Sequence, residues 1–424
     1  MTKGVTDGAV EAAITEAHRQ EWGRVLAATA RTARDLDLAE ECVQEAYTAA
    51  LHAWARSGIP ANPAAWLTTT ARRRAIDAIR RDSTLRARLP LLVESGQETE
   101  ETAVTELTAD PADSIPDERL RLIFTCCHPA LAQESQVALT LRLLCGVSTA
   151  DVARSFLVPE PTMAARITRA KKKIAVARIP YRVPAPAELP GRLRAVLAVI
   201  HLLFTAGHTA PSGAALVRAD LADRAVHLAR MLDELMPGET EVRGLLALLL
   251  VTDARRASRV DGEGRLVRLA DQDRSGWDRA TLAEADAMIT GCLRAGPPGR
   301  YLLQAAIASL YAEPPAYDQT DWPQILVLYD RLLEVWPSPV VALNRAVPLA
   351  MVTGPAAALT EVERLEADER LSGYPYLPAV KADLLSRLGR PREAAAAYRQ
   401  ALALTANDAE RAFLDEQIAT LIRK

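Results

Sequence analysis

Between Asp37 and Arg81, apolar and charged positions recur three to four residues apart, the spacing of helices and not of strands. The first segment, DLAEECVQEAYTAALHAW, predicts a helix with Glu40, Glu41 and Glu45 on one exposed stripe, because positions three to four apart share a face. Gly58, Pro60 and Pro63 interrupt the pattern, with Trp54 and Trp66 on either side. The second segment sets an apolar side of Leu67, Ala71, Ala75, Ile76 and Ile79 against Arg72, Arg73, Arg74, Arg80 and Arg81. One helix offers negative charge to a protein, and the next offers positive charge to phosphates.

A second patterned module, residues 117–183, contains SQVALTLRLLCGVSTADVARSFLVPEPTMAARITRAKKKI. Gly146 and Val147 end one helix, and Ser148 or Thr149 caps the next ahead of Asp151. Pro159 closes a tight turn, after which Pro161 and Thr162 open a third helix, where proline is tolerated in the first turn. This is helix-turn-helix spacing, with Thr162–Lys173 as the recognition helix. Its outward Arg166, Arg169, Lys172 and Lys173 are placed to meet phosphates and base edges. A basic helix on its own is commonly just a solvated face. The turn spacing and the basic helix upstream favour DNA.

Past the prolines Pro180, Pro184, Pro186 and Pro190 the helical pattern resumes in residues 184–424. Trp322, Ile325, Tyr329, Leu332 and Trp336 advance by three and four and stop at Pro337. AVKADLLSRLGRPREAAAAYRQALAL reads as two helices around a Leu-Gly-Arg turn, with Leu388, Gly389, Ala394, Tyr398 and Ala401 matching a tetratricopeptide repeat. Residues 322–424 are therefore expected to form a helical-repeat array whose first units are degenerate.

Composition narrows the class. Ala, Leu and Arg dominate, so the fold class is all-α. Net charge is −3, but its distribution is uneven. Residues 89–118 carry acids and no Lys or Arg, so residues 83–116 read as an acidic linker between residues 10–82 and the helix-turn-helix module. The five cysteines are an odd number and lack CxxC spacing, which argues against a disulfide framework. No long uninterrupted apolar run or leader-like segment is found, and a cytoplasmic protein without membrane association is expected.

These motifs, in this order, resemble the extracytoplasmic-function (ECF) sigma factors of the sigma-70 family. AEECVQEAYTAALHAW and NPAAWLTTTARRRAIDAIRR resemble region 2; VSTADVARSF and VPEPTMAARITRAKKKI resemble region 4. FTAGH, GLLALLL, DARR, DQDRSGWD, TDWPQILVLYDRLL and SPVVALNRAV resemble the subgroup with a long helical C-terminal extension. The resemblance implies a transcription initiation factor, not an enzyme, whose partners are promoter DNA and core RNA polymerase, through the β′ clamp helices and the β flap. It implies that Glu41, Gln44 and Glu45 bind polymerase. Asn62, Trp66, Arg72, Arg73 and Arg80 then serve the melted −10 element, and Thr162, Arg166, Arg169, Lys172 and Lys173 the −35 element. Trp66 reads equally as a core residue clamping its helix. The extension is implied to regulate, by holding the two modules or by recruiting a protein partner.

No cofactor is expected. Cys126, Cys127 and His128 diverge around one helix and lack a second ligand pair at zinc spacing, so a buried helix end before Pro129 is the expected reading rather than a metal site. His201 and His208, seven apart in an apolar helix, read as core. Two rival functions are a helix-turn-helix repressor with a helical ligand- or protein-binding domain, and a repeat scaffold. The repressor leaves the acidic helix at Glu41–Glu45 unexplained.

Overall fold

A computed structural model describes residues 7–88, 118–156 and 158–423. The architecture is all-α. Its strands among the described residues are the two-residue pair Ser212–Gly213 and Ala406–Asn407, running parallel. The chain forms two compact units, residues 1–199 and 200–424.

The first unit contains α1 (Asp7–Ala33), α2 (Leu36–Ser57), α3 (Pro63–Arg88), α4 (Glu118–Cys126), α5 (Gln133–Leu139), α6 (Thr149–Ser155) and α7 (Glu160–Val176). Asp35 starts α2 by accepting the Asp37 and Leu38 amides, both at 2.8 Å. Gly58, at φ 85°, ends it. Asn62 caps α3 by accepting the Ala65 amide at 3.0 Å. Leu26, Trp54, Leu67, Phe124, Leu139 and Met163 are among the fully buried side chains of this unit. On α3, Leu67, Ala71 and Ala75 are buried as the spacing predicts, but Ile76 and Ile79 lie about 40% exposed. A helix this narrowly packed buries one stripe, and these isoleucines fall outside it.

Residues 83–88 continue α3 as helix; the rest of the expected acidic linker, residues 89–116, lies outside the described residues. The division between the units falls inside α8 (Leu189–His208). This helix is long and apolar enough, by length and composition, to cross a membrane. Its Leu193, Val196, Leu197, Val199, Ile200, Leu203 and Phe204 are buried within the protein.

The second unit continues with α9 (Ala219–Leu235), α10 (Thr240–Asp253), α11 (Arg279–Ala295), α12 (Arg300–Ala312), α13 (Trp322–Val335), α14 (Pro339–Val352), α15 (Pro355–Leu365), α16 (Tyr376–Arg387), α17 (Pro391–Leu404) and α18 (Asp408–Arg423). Helix α10 is buried almost all round, from Val242 to Val251, as its unbroken apolar run requires. Trp322, Ile325 and Leu332 form one core with Tyr329 and Trp336 packed against it. Ala394, Tyr398 and Ala401 form another with α16 and α18. Gly389, at φ 72°, makes the α16–α17 turn.

Candidate functional site

Helix α2 presents two faces with different chemistry. Glu41, Gln44 and Glu45 are exposed. Glu40 is not: it is 6% exposed, which corrects the expectation that it shares their stripe. Adjacent helical positions differ by about 100°, and Glu40 follows the apolar spacing of Val43 and Tyr47 instead. Its carboxylate pairs with Arg142, and accepts from Lys171 Nζ at 2.7 Å. Lys171 also bonds Asp37 at 2.7 Å. Burial works to lower the Lys171 pKa, but Glu40 and Asp37 together outweigh it and the net shift is upward.

This cluster joins the two sequence modules within the first unit, and hydrogen bonds and close backbone approaches also cross between them. Trp22 Nε1 donates to the Leu143 carbonyl at 3.1 Å, and Tyr181 Oη donates to the Ala27 carbonyl at 2.8 Å. A Cβ on Gly23 would stand 2.6 Å from the Leu144 carbonyl oxygen. One on Gly146, itself at φ 64°, would stand 2.9 Å from both Trp22 and His18. A cavity of about 1100 Å³ beside the cluster is lined from both modules, by Arg31, Arg34 and Asp37 on one side and Thr168, Lys172 and Tyr181 on the other.

Neither Lys171 nor Arg142 was singled out from sequence. A signal existed: Lys171 lies four residues after Ile167 and three before Ile174, on the apolar stripe of its helix. A lysine there implies a buried anionic partner, although spacing cannot name it.

An open groove of about 710 Å³ between α2 and α3 is lined by Glu41, Gln44, Glu45, Arg56, Trp66 and Arg74, among others. The acidic stripe and the tryptophan thus share one surface. Trp66 meets Trp54 edge-on at 5.7 Å and is half-buried, so it both packs and lines the groove. Glu45 pairs with Arg74. Arg73 and Arg80 are exposed, whereas Arg72 is half-buried and donates to Thr32 Oγ1 at 3.3 Å. Asn62 is exposed, with its Oδ1 engaged in the α3 cap.

In the helix-turn-helix, Ser148 Oγ accepts the Asp151 amide at 3.1 Å, the cap anticipated from sequence. Thr162, Arg169, Lys172 and Lys173 are exposed on α7. Arg166 is half-buried, its guanidinium 5.7 Å from the Phe156 ring centre. Met163, Ile167, Ala170 and Ile174 anchor the opposite face. Cys126 and Cys127 are buried where α4 ends, and burial pushes the Cys127 thiol up to about 12. Among the described residues no three His, Cys, Asp or Glu side chains are grouped as a metal site needs.

A helical module with a charged groove, bonded to a helix-turn-helix with an exposed basic helix, defines a protein that meets both protein and DNA. Comparison with known proteins agrees. Residues 19–84 match sigma-70 region 2, residues 121–174 match sigma-70 region 4, and residues 192–293 match a family of unknown function (DUF6596). The chain belongs to the sigma-70 family, as an ECF-like sigma factor with a C-terminal extension. It is 44% identical over 413 residues to a Rhizobium meliloti (strain 1021) protein described as uncharacterized, covering 97% of this chain and 95% of that one. No solved structure matches. Regions 2 and 4 make it a DNA-binding transcription initiation factor that works with core RNA polymerase.

Proposed function

We propose that residues 10–82 and 117–183 act as separate polymerase- and promoter-binding modules, with residues 83–116 as an acidic linker passing through the RNA exit path. Glu41, Gln44 and Glu45 dock on the β′ clamp helices, and the helix-turn-helix module meets the β flap. Asn62, Trp66, Arg73 and Arg80 hold the melted −10 strand, Trp66 by stacking and the arginines by phosphate contact. Arg72, turned toward Thr32, reaches the backbone by swinging out. Thr162, Arg166, Arg169, Lys172 and Lys173 read the −35 element. Residues 184–424, with repeat-like hairpins from about residue 322, regulate this activity in the cytoplasm through a protein partner.

The carrying observation is the exposure of Glu41, Gln44 and Glu45 on a groove shared with Trp66, opposite a buried Glu40. A repressor needs no such acidic face. The reading is tested by pulling down core polymerase with the full chain and with Glu41→Lys/Glu45→Lys.

The Glu40–Lys171 contact adds a regulatory step. The −35 and −10 positions lie about 25 base pairs apart, or roughly 85 Å along a duplex rising about 3.4 Å per base pair. In the first unit the recognition helix touches α2 directly. Both elements cannot be read until that contact opens, so its release accompanies engagement.

A further inference from the structure

The segment between α10 and α11 buries arginines that form no ion pair with a carboxylate among the described residues. Six arginines fall here; the exposed Arg265 and Arg268 pair with Asp261 and Asp271, which leaves Arg255, Arg256, Arg259 and Arg274. Arg256 is satisfied, pairing with Asp223 at 2.5 Å and Asp253 at 2.6 Å. The other three form no ion pair among the described residues. Arg259 donates to the His208 carbonyl and, at 3.0 Å, to Thr209 Oγ1. Arg274, 7% exposed, uses Nη1 on the Tyr311 and Pro314 carbonyls, at 3.0 and 2.7 Å.

Two of these arginines share one aromatic neighbour. The guanidiniums of Arg255 and Arg274 lie 5.7 and 4.6 Å from the centre of the same ring, Trp277. Arg255 Nε, Arg274 Nη2 and Trp277 Nε1 are all buried, and none finds an acceptor among the described residues. A buried donor without a partner costs roughly 1–3 kcal/mol, and more when it is charged. Burial, together with Arg259 and Arg274, pulls the Arg255 pKa down to about 10. Nearby acids are engaged elsewhere: Asp253 pairs with Arg256 and Asp261 with Arg265, while Asp273 and Asp278 are exposed and cap turns at Ser275, Ala280 and Thr281.

We propose that Arg255, Arg259 and Arg274, with the Trp277 indole N–H, form a binding site in the C-terminal extension for a small phosphate-type oxyanion. Such a group supplies several oxygens to donors arranged in forks and neutralises charge that no ion pair offsets. The site is a property of the extension, whether or not the extension governs transcription.

The test uses the full-length protein, scanned for thermal stability and titrated calorimetrically with inorganic phosphate against sodium chloride at equal ionic strength. A saturable stabilisation by phosphate and none by chloride is expected. Methyl phosphate in a parallel titration separates the sources: tighter binding than inorganic phosphate assigns a phosphorylated metabolite, and weaker binding assigns the free anion. Arg255→Met should weaken phosphate binding at least tenfold while leaving the phosphate-free melting temperature unchanged or higher, because it removes repulsion. Arg255→Lys, which keeps the charge but loses the fork, should fall between, and it serves if the Met variant does not fold. No saturable response in the parent protein overturns the proposal and leaves the donors to water. An unchanged response in the variants overturns it too, making Arg255 a packing residue.

Discussion

Lys171 of the recognition helix and Glu40 of α2 meet at 2.7 Å although 131 residues separate them, and both side chains are 8% exposed. Removing one member of a buried pair leaves the other uncompensated. Here Arg142 remains beside Glu40, so Lys171→Met should cost about 1–3 kcal/mol, the penalty of a lost charged hydrogen bond and not of a stranded ion. Urea unfolding of the full chain measures it. Because the folded pKa of Lys171 is raised, its contribution is complete at neutral pH and is lost only as pH climbs past the ordinary lysine range. The same variant should bind core polymerase more tightly if the contact must open.

Glu41→Lys with Glu45→Lys should abolish core polymerase binding while the melting temperature moves little. Both residues are exposed, and the Glu45–Arg74 pair, 48% and 39% exposed, contributes little to stability. Normal affinity in a pull-down would remove the acidic stripe from the interface.

Arg169→Ala should weaken promoter occupancy by ~1–3 kcal/mol if it makes a bidentate base contact, and uniformly across sequences if it touches phosphate. Arg166→Ala should do likewise, with an added loss of stability from the Phe156 contact. Footprinting at two salt concentrations separates these cases. Unchanged occupancy in both variants would displace α7 as the reading helix.

Burial lowers the His201 pKa to about 4, assisted by Arg300. The unfolded chain takes up this proton near pH 6.5 and the folded one only near 4, so acid favours unfolding across that window. The stability of the second unit should therefore begin to fall below pH 6.5. His201→Gln should flatten the dependence by about 1.4 kcal/mol per pH unit, read from melts between pH 7.5 and 4.5.

Where the extension is cut should matter. Ending the chain after Pro184 removes Arg192, which donates to the Phe124 carbonyl inside the first unit, and so should destabilise that unit. Ending it after Thr209 keeps α8 and this bond. Transcription in vitro from one promoter should start at the same nucleotide for the full chain and the longer truncation, with only the yield changed. A shifted start would show that the extension takes part in promoter choice.

Periodicity was enough to read the helices, the helix-turn-helix and the buried stripe of α13, because each depends on neighbours within a turn or two. It failed where a partner lies far along the chain. Glu40 looked like Glu41 until Lys171 and Arg142 were placed beside it. Ile76 and Ile79 counted as core by their chemistry, but α3 is packed on one narrow side. The DARR segment entered only as a motif of the extension, since sequence does not reveal which of its arginines lack a carboxylate.

The 131 residues between Glu40 and Lys171 are also an interval of time. At about 5–20 residues per second, a ribosome that has made Glu40 needs roughly 7–26 s more to make Lys171. Helices α1 to α3 are complete within the first 88 residues and can fold on local contacts during that wait. Until Leu143 and Lys171 are made, the Trp22 indole N–H lacks its carbonyl acceptor and Glu40 its ammonium partner. Each newly made molecule therefore passes through an open form once, before it has a partner to close on.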